Sequence, residues 1–214
     1  MTEPHPTVFV VDDDAAVRKS LVRLLKSAGY HAESFASADE FIECRKRNSL
    51  PGCALVDIQM PGIDGLQLQR ELINSTHKIP IIFITGYGDI PSSVKAMKAG
   101  AVDFFSKPFN DDDLLRAIRE AIQRDQRERS ERAERVSLAA RLATLTPRER
   151  EVLDLVVRGL LNKQIAAALG ASEKTIKIHR GRVMAKMKAP SVADLVRAAE
   201  KIGTPPGSPP PPDR

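Results

Sequence analysis

One apolar run in the sequence ends in a single acid and is soon followed by a Pro-Gly pair. The run Cys53–Val56 leads directly into Asp57. The pair Pro61-Gly62 then interrupts regular secondary structure, and apolar residues resume at helical spacing from Leu66. A short continuous apolar run indicates a strand that is buried on both faces, as in a parallel sheet. Ligands bind at the carboxyl edge of such sheets, so Asp57 is predicted to lie at a binding site.

Three other apolar runs also lead into polar side chains. Val8–Val11 precedes Asp12, Asp13 and Asp14, Ile81–Ile84 precedes Thr85, and Val102–Phe105 precedes Ser106, Lys107 and Pro108. If these strands are neighbours, three or four carboxylates share one pocket with a hydroxyl and an ammonium group. A hard cation such as Mg2+ would relieve the repulsion between the carboxylates, so the sequence predicts a magnesium site.

Strand and helix patterns alternate five times between residue 8 and about residue 122. Repeated β/α units of this size imply a parallel sheet that is covered by helices. The last helix meets no Gly or Pro before Pro147. We predict that residues 125–143 form a solvated helical linker, with apolar contacts returning at Val136, Leu138 and Leu142.

A coiled-coil dimer through this linker is an alternative. Its seam would carry three charged residues, Asp125, Arg129 and Arg132, which weakens the case for it.

The charge changes sign along the chain. Residues 1–125 carry 15 Lys and Arg against 18 Asp and Glu, whereas residues 144–204 carry 12 against 6. The basic part suggests a nucleic-acid partner. The two cysteines match no metal-binding or disulfide spacing. Neither a signal sequence nor a membrane-length apolar run is found, so we predict a cytoplasmic protein.

Residues 144–202 carry the pattern of a small helical domain. A short helix, Asn162–Leu169, is followed by Gly170 and by a helix that Ser172 caps and that runs to about residue 188. This order is typical of a helix-turn-helix. On the second helix, Ile176, Val183 and Met187 are predicted to face the core, and Lys174, Lys177, Ile178, Arg180 and Arg182 to lie on the remaining surface. Residues 1–6 are assigned to an N-terminal extension, and the Pro-rich residues 203–214 to a disordered tail.

Two parts of the sequence resemble known families. Over residues 7–124, Asp12, Asp13, Asp57, Thr85 and Lys107, together with the turn after Asp57 and the Lys107-Pro108-Phe109 segment, resemble the receiver domain of two-component response regulators. Over residues 144–201, the segments Leu145–Leu153, Asn162–Ala166 and Thr175–His179 resemble the LuxR/NarL/FixJ-type helix-turn-helix. The whole chain resembles FixJ/StyR-type regulators. That resemblance implies a flavodoxin-like five-stranded parallel sheet of order 2-1-3-4-5, joined by a long helix to an all-α, four-helix DNA-binding domain.

The resemblance also implies a role for each pocket residue. Asp57 would accept a phosphoryl group, and Asp12, Asp13, Asp57 and the main-chain carbonyl of Gln59 would hold Mg2+. Thr85 and Lys107 would bind phosphoryl oxygens, Phe104 would be the switch aromatic, and the Lys107–Pro108 peptide would be cis. Lys177 and Ile178 would reach bases, and Lys174, Thr175, His179, Arg180 and Arg182 would contact phosphates.

The implied partners are a histidine kinase, double-stranded promoter DNA, RNA polymerase and a second copy of the chain. Phosphorylation would favour a homodimer through the receiver surface around the Ile90 helix and the Val102 strand, and transcription would mainly be activated. Beyond Mg2+-dependent self-phosphotransfer and autodephosphorylation, no enzyme activity is expected.

Two rival functions remain open from the residues. In the first, Asp12 is the nucleophile of an Mg2+-dependent haloacid-dehalogenase-type phosphohydrolase, although Ala16 stands where that family has Thr or Val. In the second, the receiver is structural, is never phosphorylated, and the chain binds DNA constitutively.

Overall fold

The computed structural model describes residues 5–75, 78–86 and 90–203, apart from the side chains of Ile90 and Ser92. The chain divides into two compact units, with the boundary between Arg129 and Ser130. The predicted disordered tail lies outside the described residues from position 204 onward, as do residues 1–4 of the predicted extension.

The first unit contains a five-stranded parallel sheet of order β2-β1-β3-β4-β5, which confirms the predicted fold. The strands are β1 (Thr7–Val11), β2 (His31–Phe35), β3 (Gly52–Asp57), β4 (Ile81–Thr85) and β5 (Asp103–Ser106). β1 and β3 are buried along their whole length. Their near-continuous apolar sequences follow from that burial on both faces.

Among the residues described, five helices cover this sheet: α1 (Ala15–Ser27), α2 (Ala38–Arg47), α3 (Gly65–Asn74), α4 (Ile90–Lys98) and α5 (Asp111–Ala143). Alternate residues along each strand feed two cores. On one face Phe9, Val56 and Phe83 pack with residues of α2, α3 and α4. On the other face Val10 and Leu55 pack with residues of α1 and α5. The sheet is thus a central layer between two helical layers.

At the amino-terminal end of the strands, away from Asp57, α5 is fixed to the start of β3. The Gly52 N–H donates to Asp125 Oδ2 at 2.8 Å, and Arg129 Nε donates to the same oxygen at 2.7 Å. Arg129 also donates to the Ser49 and Leu50 carbonyls. Asp125 is 3% exposed. Asp125 and Arg129, two of the charged residues that a coiled-coil seam would carry, are thus engaged within the first unit.

Up to residue 203, the second unit comprises residues 130–143 of α5 and four further helices. These are α6 (Pro147–Val157), α7 (Asn162–Leu169), α8 (Glu173–Met187) and α9 (Val192–Lys201). Leu138 is buried, as predicted, and Leu142 packs against the core of this unit. The predicted contact at Val136 is wrong, because this side chain is 65% exposed. Leu138 and Leu142 are four residues apart and share one stripe of the helix, whereas Val136 lies outside that stripe.

Candidate functional site

The sheet brings together three of the predicted acids. Carboxylate oxygens of Asp12, Asp13 and Asp57 lie within 4.8 Å of one another. The strand register explains this: Val11 pairs with Val56, so the residues that follow β1 meet the end of β3. Asp12 and Asp57 are buried, whereas Asp13 is exposed. The arrangement is an acidic pocket that opens to solvent on one side.

Local backbone chemistry holds the loops that carry these acids. Asp14 caps α1 by accepting from the Ala16 N–H at 2.7 Å. After β3, the Gly65 N–H donates to the Ile58 carbonyl at 3.0 Å, and a Cβ atom on Gly65 would lie 2.4 Å from the Asp57 carbonyl oxygen. Only glycine allows the start of α3 to approach Asp57 this closely.

Lys107, the residue directly after β5, completes the pocket. Its Nζ lies 2.8 Å from Asp12 Oδ2 and 3.8 Å from Asp57 Oδ1. The Lys107–Pro108 peptide is cis, as predicted. The Lys107 N–H donates to the Thr85 carbonyl at 2.8 Å, and Thr85 is fully buried at the end of β4. Phe104 is half-buried and packs against the core that Phe83 joins.

Asp57 is less well satisfied than Asp12, the other buried acid of the pocket. Among the described residues, its Oδ1 atom is buried and accepts no hydrogen bond. Burial raises the pKa of Asp57 to about 6, with Lys107 opposing the shift and the Asp12 charge adding to it. In contrast, Asp12 Oδ1 accepts from the Asp14 N–H and Oδ2 accepts from Lys107. A reacting or coordinating group is therefore better accommodated at Asp57 than at Asp12, which disfavours Asp12 as a nucleophile.

The raised pKa of Asp57 predicts that its charge destabilises the receiver unit when no cation is bound. The folded state binds the proton more tightly than the unfolded state, so stability falls as pH rises from about 4 through about 6. Asp57→Asn should increase the free energy of unfolding at about pH 7 by roughly 1 to 3 kcal/mol, and the increase should vanish below about pH 4.

Calorimetry of Mg2+-free protein tests this expectation across the pH range. Asp39→Asn, which alters an exposed acid in the first turn of α2, is the control. A gain for Asp57→Asn that is independent of pH would contradict the electrostatic origin.

The donor set of the pocket fits a hard divalent cation. Three carboxylates within 4.8 Å supply the oxygen ligands that Mg2+ prefers, and the buried Asp57 Oδ1 atom is available to it. The predicted fourth ligand is the main-chain carbonyl of Gln59. Gln59 lies two residues after Asp57 and is exposed.

The second unit presents a helix-turn-helix. α7 ends at Gly170, whose φ of 61° is left-handed, and Ser172 caps α8 by accepting from the Thr175 N–H at 3.1 Å. The predicted core residues of α8 are buried: Ile176, Val183 and Met187. The opposite face of α8 is therefore exposed.

The predicted DNA-contacting residues fall into two groups. Five are exposed on α8: Lys174, Thr175, Lys177, Ile178 and Arg182. The other two, His179 and Arg180, are half-buried, and Arg180 donates to Asn162 Oδ1 at 2.9 Å. Ile178 is 49% exposed, and a Cβ atom on Gly181, one turn further along, would meet nothing within 4 Å. The fold therefore does not require glycine at position 181.

Several side-chain contacts do not follow from the sequence pattern. Lys186 on α8 donates to Glu149 Oε2 at 2.6 Å and to the Thr144 carbonyl at 3.0 Å. This contact lowers the pKa of Glu149 to about 2 and ties α8 to the start of α6. Arg18 on α1 donates to the Asp12 carbonyl at 2.6 Å. The capping signal at Thr146 pointed to Glu149, but no periodicity pointed to these partners.

Both units match families of known proteins. Residues 8–119 match the family described as response regulator receiver domain, and residues 143–199 match the family described as bacterial regulatory proteins, luxR family. Within the described residues, no helix is long and apolar enough to cross a membrane.

Curated relatives and solved structures cover nearly the whole chain. Nodulation protein W of Bradyrhizobium diazoefficiens is 48% identical over 92% of this chain and 86% of that protein. The transcriptional regulatory protein FixJ of the same organism is 43% identical over 92% of this chain and 95% of that protein. The structure of response regulator StyR has a TM-score of 0.82 at 46% identity and covers 92% of this chain and 99% of that chain.

Proposed function

Since the chain belongs to the two-component response regulators that join a receiver domain to a LuxR-type DNA-binding domain, we propose that a histidine kinase phosphorylates it on Asp57 in the cytoplasm. The phosphorylated protein then binds promoter DNA as a homodimer and regulates transcription, mainly as an activator that contacts RNA polymerase. The observation that carries the proposal is the buried Asp57 Oδ1 atom, which accepts no hydrogen bond among the described residues and lies 3.8 Å from Lys107 Nζ.

The transfer step follows from the chemistry of a carboxylate nucleophile. An Asp57 oxygen attacks the phosphorus of a phosphohistidine, an O–P bond forms, the P–N bond breaks, and the imidazole nitrogen leaves with the electron pair. The chain itself is phosphorylated and dephosphorylated in this cycle. It converts no separate substrate. Bound at Asp12, Asp13, Asp57 and the Gln59 carbonyl, Mg2+ would offset charge on the phosphoryl oxygens.

Two side chains are suited to reading the phosphorylated state. Lys107 lies closer to Asp12 than to Asp57, and it gains a strong anionic partner when a phosphoryl group is added to Asp57. Thr85 would then donate to another phosphoryl oxygen, and Phe104 on the adjacent strand would turn inward. The modification therefore favours a different arrangement of β4 and β5.

The surface beside these strands supports a dimer. Val94 and Met97 on α4 are three residues apart, lie on one side of the helix, and are 43% and 44% exposed. Apolar side chains of this size gain from burial against a second copy. Phosphorylation would shift the population towards the receiver state in which this surface pairs.

A dimer would place two copies of α8 on DNA half-sites about one helical turn apart. Lys177 and Ile178 would reach base edges, and Lys174, Thr175, His179, Arg180 and Arg182 would contact phosphates. Because Arg180 is already bonded to Asn162, it also holds α7 and α8 together.

Ile178 should read a thymine methyl group. Its exposed apolar side chain lies among cations, and contact with the thymine methyl is the major-groove interaction open to it. The DNA is a duplex that the phosphorylated protein selects from random sequences. Replacing one thymine per half-site by uracil, which lacks the methyl group, should weaken binding about 3- to 5-fold. Ile178→Ala should abolish that difference.

Fluorescence anisotropy of the two duplexes measures the effect. Val136→Ala, which truncates an exposed apolar residue of α5, should retain full sensitivity to the methyl group. Equal methyl sensitivity in the Ile178→Ala protein would assign the contact to another residue.

The proposed switch is tested by sedimentation of the wild-type protein with acetyl phosphate and Mg2+. A shift from monomer towards dimer that needs both reagents is expected. A labelled protein that stays monomeric would contradict the proposed dimerisation through the receiver.

A further inference from the structure

Arg18 lies on the first turns of α1, next to the acidic pocket, and has no role in the function proposed above. It is half-buried, and its Nη1 atom donates to the main-chain carbonyl of Asp12 at 2.6 Å. That carbonyl belongs to the peptide that joins Asp12 to Asp13. Arg18 therefore holds the peptide unit from which both pocket carboxylates extend.

The other contacts of this loop fix Asp12 more firmly than Asp13. The Asp12 N–H donates to the Phe35 carbonyl at 3.3 Å, and the Asp12 carboxylate accepts from the Asp14 N–H and from Lys107. Asp13 is exposed, so its direction depends on the plane of the preceding peptide. Among the described residues, the Arg18 side chain bonds to that peptide.

We propose that Arg18 is a positioning residue for the divalent-cation site: through the Asp12 carbonyl it orients Asp13 together with Asp12 towards the cation. The inference rests on the proposed function, because it assumes that the pocket binds Mg2+. It goes beyond that function by assigning part of the cation affinity to a residue outside the ligand set.

Arg18 can affect the cation affinity of the pocket in two ways, through its charge and through its hydrogen bond. The two effects have opposite signs, so an experiment separates them. If only its positive charge mattered, removing it would strengthen cation binding to the acids. If it orients the loop, removing it weakens binding, and partners of metal ligands typically account for 10- to 100-fold in affinity. The orienting effect should win, because the hydrogen bond is direct and short whereas the guanidinium charge is partly exposed to solvent.

The test is an Mg2+ titration of the full chain by calorimetry. Arg18→Ala should raise the dissociation constant at least 10-fold, and Arg18→Lys should lie between it and the wild type. The matched control is Arg23→Ala, because Arg23 is an exposed cation on the same helix. Thermal melting checks that each variant is folded, and Arg18→Lys serves as the test if Arg18→Ala is not.

A second readout separates positioning from general damage. The Mg2+ concentration that gives half the maximal rate of phosphorylation by acetyl phosphate should rise in Arg18→Ala, while the rate at saturating Mg2+ should stay near that of the wild type. Unchanged or tighter Mg2+ binding by folded Arg18→Ala overturns the inference. Absence of Mg2+ binding by the wild-type protein would instead overturn the proposed cation site itself.

Discussion

The Asp57→Asn protein should gain no phosphoryl mass when it is incubated with acetyl phosphate and Mg2+, whereas the wild-type protein should gain one group. The expected loss is complete, because the amide that replaces the carboxylate cannot form an acyl phosphate. Asp57 is also the pocket acid with a buried oxygen that accepts no hydrogen bond among the described residues, while both oxygens of Asp12 are engaged. Intact mass spectrometry measures the label directly.

Two variants make this result specific. Asp39→Asn removes an exposed acid at the start of α2 and should be labelled like the wild type. Asp12→Asn should be labelled slowly, because it removes a cation ligand and not the nucleophile. Label that persists in Asp57→Asn and disappears in Asp12→Asn would instead favour the phosphohydrolase-type nucleophile considered from the sequence.

Gly52→Ala should destabilise the receiver unit by roughly 4 kcal/mol or more. Gly52 has a φ of 145°, which L-residues rarely adopt, and an added Cβ atom would lie 1.8 Å from the Thr7 carbonyl oxygen. That oxygen belongs to the neighbouring strand β1, so relief requires β1 and β3 to separate. The Gly52 N–H that bonds to Asp125 would be displaced as well.

Hydrogen exchange on the full chain tests this expectation by region. Strand amides of the receiver should lose protection, while amides of α6 and α8 should keep theirs. Gly29→Ala is the control, because Gly29 also has a positive φ, of 84°, but open space around it. Its cost should be about 1 to 2 kcal/mol. Receiver protection in Gly52→Ala equal to that in Gly29→Ala would show that the strands accommodate the added atom.

The sequence was sufficient to predict which elements form and at which end of the sheet the acids collect. Runs such as Cys53–Val56 report burial on both faces, and the polar residue after each run marks the strand end. The structure places Asp12, Asp13 and Asp57 together, as expected from parallel strands. The helix-turn-helix followed in the same way from capping residues and Gly170.

Side-chain partners that are distant along the chain were not predictable in this way. Asp125 bonds to a residue 73 positions earlier, and Lys186 to one 37 positions earlier. Periodicity reports the face of a helix on which a residue lies, but not the atom it meets. For this reason the charge pattern predicts a solvated stretch near Asp125, whereas Asp125 is buried and bonded to the start of β3.

The central claim is that a phosphoryl group on Asp57 controls DNA binding. The most direct measurement is the affinity of the full chain for its selected DNA duplex, with and without acetyl phosphate and Mg2+, in the wild type and in Asp57→Asn. We predict that phosphorylation strengthens wild-type binding at least about 10-fold, a coupling typical of allosteric proteins, and leaves Asp57→Asn unchanged. Equal affinity of both proteins under both conditions would contradict the claim and identify a constitutive DNA-binding protein.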